Sequence, residues 1–218
     1  MTAINNMVYG QDPRQGFIEE NAFYHPVLRF FFSFPESWQV QNTPAQVTLA
    51  SEDGKAGVIL KAEKTSENLK DYANGIAAKI ENAEFIEEKS ITINGLASYH
   101  QVYDISKQEG GNLRTRLSYL KKNGFIYTFL ALSAQDEFSQ YDRSFQSIVG
   151  SFQELRNAKY LNREPMRISL VTANGRENLQ AIFQKAGMVK DLWPTFAIMN
   201  GAELDSTPDR GQTIKIAR

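Results

Sequence analysis

Two histidines, His25 and His100, are all that 218 residues offer for imidazole acid–base work or metal ligation, and cysteine is absent. Without thiols there is no disulfide, no zinc-thiolate site and no cysteine nucleophile. A catalytic zinc usually takes three protein ligands and keeps one position open. No HExxH helix occurs, so the familiar zinc-hydrolase arrangement is missing. His25 precedes Pro26 in an irregular stretch, and His100 shares a strand face with Ser98 and Val102. Both are expected to be structural or surface residues. Serine catalysis needs a nucleophile, a base and oxyanion donors. No Gly-x-Ser-x-Gly elbow is present, and Gly150-Ser151 falls at a helix end, where serine acts as a cap or surface residue. Gly54-Lys55 lacks the earlier glycine and the following Ser or Thr of a phosphate-binding loop. The pairs Glu19-Glu20 and Glu87-Glu88 have no assigned cleft. The residues therefore nominate no catalytic group, no metal site and no cofactor.

One basic cluster invites a binding role. Arg114, Arg116, Lys121 and Lys122 lie around Asn123-Gly124, with Tyr119 and Tyr127 near and the two arginines on one face. Such a patch suits an acidic partner or a phosphate backbone. The plainer reading is a solvated hairpin face whose cations blunt an edge strand. The rings Phe30, Phe31, Phe32, Phe34 and Trp38 read as core packing rather than a ligand pocket.

Composition excludes a disordered, collagen-like or coiled-coil chain. Lys and Arg total 24 against 25 Asp and Glu, a net charge of −1, which gives no global pull on nucleic acid or anionic membrane. Apolar residues are 42% and charged residues 22%, ordinary for a soluble globular chain. No apolar run approaches the ~18 residues of a membrane span, and the first ten residues lack the pattern of a signal peptide.

The elements that must position these groups follow from periodicity. Residues 1–24 read as a lead-in punctuated by Gly10, Pro13 and Gly16. Over 28–34, Leu28, Phe30, Phe32 and Phe34 alternate as a strand that Pro35 ends. Residues 57–62 form another strand. Over 66–82, Leu69, Tyr72, Ala73, Ile76, Ala77 and Ile80 make one helical face, with Ser66 as N-cap. Asn94-Gly95 and Asn123-Gly124 each sit between strands and predict two hairpins. Residues 125–132 are apolar on both faces, so that strand is expected to be central. Phe138, Tyr141, Phe145, Ile148, Val149 and Phe152 mark a second helix. After a polar linker, residues 168–171, 177–185, 192–199 and 213–216 read strand, helix, helix, strand, with Gly187 closing the first helix. Six or seven strands and two main helices give an α+β fold. The expected divisions are a lead-in (1–24), a sandwich domain (25–157), a linker (158–166) and a β-α-α-β module (167–218).

Two resemblances attach to these patterns. Phe32-Ser33-Phe34-Pro35 with Trp38, then a helix, two hairpins, Ile126-Tyr127-Thr128-Phe129 and the terminal Phe145, Ile148, Val149, Ser151 and Phe152 resemble the PsbP-like α/β/α sandwich. That superfamily consists mainly of binding or assembly factors. Residues 167–216 are similar to a LysM-type module, through Met199-Asn200-Gly201 and Pro208, Gly211, Ile214, Lys215 and Ile216. LysM modules bind N-acetylglucosamine polymers such as peptidoglycan. That likeness implies glycan contacts from Asn174, Gly175, Arg176 and Glu177, and from Asn200, Gly201, Ala202 and Glu203. The usual Gly-Asp-Thr is replaced here by Gly175-Arg176-Glu177. With residues 7–17 in front, the whole resembles the C-terminal, non-catalytic half of bacterial HtpX/BepA-like zinc metallopeptidases. The likeness implies a periplasmic or cell-envelope setting and an upstream peptidase domain. A stand-alone PsbP-like protein-binding scaffold and an independent hydrolase are the alternatives.

Overall fold

The structure is a computed structural model that describes residues 4–107 and 111–218. Residues 1–3 and 108–110 lie outside the described residues. The chain divides into a sheet unit, Gly16–Leu161, and a second unit that combines residues 4–15 with Asn162–Arg218.

The sheet unit opens with short strands β1 (Phe17–Glu19), β2 (Ala22–His25) and β3 (Phe30–Ser33). β4 (Gln39–Asn42), β5 (Val47–Ala50), β6 (Ala56–Lys64), α1 (Leu69–Ala77), β7 (Ala83–Ile93), β8 (Leu96–Ile105), β9 (Leu113–Lys122) and β10 (Phe125–Ala134) follow. α2 (Phe138–Gly150), β11 (Gln153–Glu154) and α3 (Ala158–Leu161) complete it. One sheet has the order β1-β2-β3-β11 and the other β4-β5-β6-β10-β9-β8-β7. All pairings are antiparallel.

β10 is the middle strand of seven, as its two apolar faces require. Ile126 and Leu130 pack with Tyr72 and Ala73 of α1. Tyr127, Phe129 and Ala131 face Phe138, Phe145 and the rings of the small sheet. Both hairpins turn on their Asn-Gly pairs, with φ of 48° and 82° at Asn94-Gly95 and 51° and 77° at Asn123-Gly124. The Asn94 amide also donates to the carbonyls of Gly150 and Phe152, each at 2.9 Å, and ties that hairpin to the end of α2.

Several expectations change. The helix predicted over 66–82 is shorter. Its N-cap is Asn68, whose Oδ1 accepts from the Asp71 N–H at 2.9 Å, not Ser66. Beyond Ala78 the chain tightens through Lys79 and Ile80, and Asn82 at φ 55° reverses it into β7. The strand predicted over 28–34 begins at Phe30, because Arg29 takes φ 54° and the Leu28 N–H is capped by His25 Nδ1 at 3.2 Å. Residues 17–24, read as lead-in, hold β1 and all of β2 but His25. These strands have three and four residues, too few to show a period.

The second unit contains β12 (Ile168–Thr172), α4 (Leu179–Lys185), α5 (Trp193–Met199) and β13 (Thr213–Ala217), with β12 antiparallel to β13. Asn178 caps α4 through the Ala181 N–H at 2.9 Å. Gly187 at φ 71° closes it, and the Met188 N–H reaches back to the Phe183 carbonyl at 3.0 Å. Leu179, Phe183, Trp193, Phe196, Ile214 and Ile216 are the buried core of this unit.

Phe152 is fully buried, and its ring stands 4.9 Å from Tyr127, 5.0 Å from Phe30 and 5.8 Å from Phe129. Phe152→Ala is expected to cost ~3–5 kcal/mol, read as a lowered urea midpoint. A loss under ~1 kcal/mol would show that the ring cluster is not the keystone of this core.

Candidate functional site

α2 covers only part of the sheet face it packs on, and a groove opens between it and the far strands. The groove follows from strand register. His100 pairs with Ser118 and Val102 with Arg116, so these four share one face of β8 and β9. Ile91 and Ile93 of β7 and Gln146 and Val149 of α2 complete a cavity of about 270 Å³. A wider depression shares Glu87, Val102, Arg116 and Gln146 with it and extends to Arg114, Phe138 and Asp142.

Two of the groove's cations, Arg116 and Arg114, are held in ion pairs, while Lys89 and Arg143 also line it. Arg116 makes a bidentate pair with Asp142, Nε to Oδ1 at 2.7 Å and Nη2 to Oδ2 at 3.0 Å, with Glu87 at 3.7 Å. Arg114 makes the same fork with Asp104, at 2.6 and 2.7 Å. The Gln135 amide donates to that carboxylate at 2.6 Å. The Arg114 hydrogen bonds hold the Asp104 carboxyl below its ordinary pKa.

His100 Nδ1 lies 2.7 Å from Ser118 Oγ. Burial, then the charges of Arg116 and Lys89, push the imidazole pKa down to about 4, so it is neutral near pH 7. A serine and a histidine at hydrogen-bond distance satisfy one requirement of nucleophilic catalysis. The other requirements are an accessible Oγ and a partner orienting the base. Ser118 is 1% exposed, and among the described residues His100 Nε2 has no hydrogen-bond partner. His25 is likewise held neutral by burial, with its pKa at about 4, in its turn-capping role.

The structure does not gather the four basic candidates into one patch. Arg114 and Arg116 line the groove. Lys121 points to the opposite face and donates to the carbonyls of Glu67 at 2.5 Å and Ser66 at 3.4 Å. Lys122 is 5% exposed and donates to the Leu28 carbonyl at 3.3 Å, and burial lowers its pKa. Six residues of strand, about 20 Å, separate Arg116 from Lys122.

In the second unit, Asn174 Oδ1 accepts from the N–H groups of Arg176 at 2.8 Å and Glu177 at 3.3 Å, and its amide donates to Glu177 Oε2 at 2.9 Å. Gly175, at φ 74°, lies so near Arg210 that a Cβ would stand 3.1 Å from its backbone nitrogen. Arg176 is exposed. Asn200 is committed to structure. It exchanges bonds with the Lys215 backbone at 2.8 and 2.9 Å and donates to the Phe196 carbonyl at 2.7 Å. Gly201 and Glu203 are exposed and Ala202 is half-buried. A hollow of about 470 Å³ contains Asn174 and Glu177, while the 200–203 loop lies outside its lining.

Among the described residues no three His, Asp or Glu side chains cluster as metal ligands, and no helix is long and apolar enough to cross a membrane. The groove itself was missed by sequence reasoning. Its signal lay in the even-numbered positions of two strands joined by a connection too long to fix their register.

Residues 2–153 match the family described as PsbP-like protein. No curated protein matches the chain. Among solved structures, the chain is similar to cyanobacterial PsbP (CyanoP) from Synechocystis sp. PCC 6803. The identity is 14% over 61% of this chain and 91% of that one, with a TM-score of 0.50, a likeness of fold. LpqN of Mycobacterium tuberculosis, described as involved in cell envelope biogenesis, gives 12% identity over 58% and 83%, with a TM-score of 0.47. The Ran-binding protein Mog1p of Saccharomyces cerevisiae gives 8% identity over 64% and 97%, also at 0.47.

Because both imidazoles titrate lower in the folded chain than the ordinary 6.5, the unfolded chain binds more protons between those values. Their contribution to stability is present above pH 6.5 and is lost as pH falls toward 4. Urea midpoints at pH 7, 5.5 and 4.5 are expected to decline steadily, and His100→Gln to decline less steeply. An equal slope in the variant would contradict a neutral, buried His100.

Proposed function

The chain belongs to the PsbP-like family, and we propose that it is a non-catalytic binding module whose sheet unit docks a protein partner along the groove beside α2. The observation that carries this reading is the groove's composition. Ile91, Ile93, Val102 and Val149 give it apolar surface, and two of its arginines, Arg116 and Arg114, are already neutralised by Asp142 and Asp104. A surface of that kind favours an apolar segment of a partner over an acidic polymer. The buried Ser118 weighs against the alternative of an independent hydrolase.

The finer context comes from the resemblances. In it, this chain is the accessory region of a cell-envelope zinc metallopeptidase and positions substrate, partner or peptidoglycan for a catalytic domain encoded upstream. The second unit would serve as a LysM-like module, with Arg176, Glu177, Gly201 and Glu203 offering the accessible groups.

Two experiments separate these roles. Ile91→Asp places a charge in the groove at a half-buried position. Capture of an envelope protein partner is expected to fall at least about tenfold with folding retained; undiminished capture would move the binding surface elsewhere. Co-sedimentation with insoluble peptidoglycan is expected to retain the chain through the second unit, and full recovery in the supernatant would remove the glycan role.

A further inference from the structure

The second unit is completed by a strand-like segment from the other end of the chain. β12 pairs with β13 along one edge. Along the other, residues 6–9 run antiparallel to its start, with Val8 bridged to Arg167. The Asn6 N–H donates to the Ile168 carbonyl at 2.7 Å. The Ile168 N–H donates to the Met7 carbonyl and the Tyr9 N–H to the Met166 carbonyl, both at 2.8 Å. Arg167 Nη1 adds a bond to the Asn6 carbonyl at 2.8 Å. The Tyr9 ring meets the buried Phe196 edge-on at 4.9 Å.

We infer that this edge of β12, with the Phe196 surface beside it, is an acceptor for an extended peptide segment of a partner protein bearing an aromatic side chain, and that residues 4–9 are its built-in occupant. Three observations support it. The polar contacts are all to backbone atoms of the segment, so the edge reads an extended chain rather than a particular sequence. Tyr9 packs against the core, whereas Asn5, Asn6 and Met7 are exposed, so the ring supplies the side-chain selectivity. The contact is short, one bridge at Val8–Arg167 with three backbone hydrogen bonds, the kind of unit that opens without global unfolding. This site is separate from the α2 groove and stands or falls independently of it.

A tethered occupant competes at high effective concentration, so a free peptide gains access only when the tether's grip is loosened. The test is fluorescence anisotropy of a labelled peptide of residues 4–11, titrated with the full chain and with its Tyr9→Ala variant. The variant is expected to bind at least about tenfold more tightly than the wild type, and a peptide in which alanine replaces tyrosine is expected to bind neither. Equal affinity for both chains, no binding to the variant, or tyrosine-independent binding would overturn the proposal. A concentration-dependent wild-type dimer dissociated by the peptide would make a second copy the occupant and also overturn it. Should Tyr9→Ala fail to fold, hydrogen exchange of the wild type decides. Amides of Asn6, Tyr9 and Ile168 exchanging at least about tenfold faster than the β12–β13 ladder support a displaceable segment. Exchange at the ladder's rate shows an inseparable strand and ends the idea.

Discussion

The meeting of aromatic rings between the two sheets is the constraint on which the sheet unit depends. Phe30 and Phe32 come from the small sheet, Tyr127 and Phe129 from the central strand, and Phe152 from the turn after α2. Phe30 stands 5.1 Å from Tyr127 and Phe32 stands 5.7 Å from Phe129. Edge-to-face and offset contacts of this kind fix orientation as well as burying area. They set where the small sheet lies on the large one, and through Phe152 they set where α2 ends. Asn94 then fastens the β7–β8 hairpin to that same point.

The groove is a consequence of that placement. Seven strands at ~4.8 Å spacing span roughly 29 Å. A helix is about 10 Å across, and the small sheet sits over the central strands. The β8–β7 end of this face therefore lies beyond what α2 covers. β7 is an edge strand, largely exposed, with an irregularity between Phe85 and Glu87 and carboxylates along it. These features discourage regular edge-to-edge pairing, so the surface offered for binding is the face between β7 and α2 rather than the bare edge.

Electrostatics decide what the groove prefers. A fork of two hydrogen bonds between guanidinium and carboxylate, repeated at Arg114 and Arg116, commits the strongest cations of the face to neighbours in the fold. Such a pair, partly withdrawn from water, offsets the desolvation of each charge, while an unpaired survivor would be costly. What remains for a partner is apolar surface, a neutral imidazole and the rim charges of Glu87, Lys89 and Arg143.

Much of the scaffold was legible before any coordinates. The Asn-Gly turns had to reverse two strands because their residues tolerate positive φ, and the two-faced apolar run of β10 had to be central. Helical spacing located α1, α2, α4 and α5, and Gly187 marked the end of α4. The short strands β1 and β2 left no period to read, and Asn68 displaced Ser66 as cap because its side chain met a free first-turn N–H, that of Asp71. The sequence could show that Arg114 and Arg116 share a face, but it grouped Lys121 with them, and only the fold sent Lys121 to the carbonyls of Ser66 and Glu67. Register across the long β8–β9 connection, and the approach of α2 to those strands, placed His100 against Ser118 and Asp142 against Arg116. Local periodicity determines elements, since it depends on neighbours in the chain; the groove and the pairing of residues 6–9 with β12 depend on atoms distant in sequence, and only the folded packing brought them together.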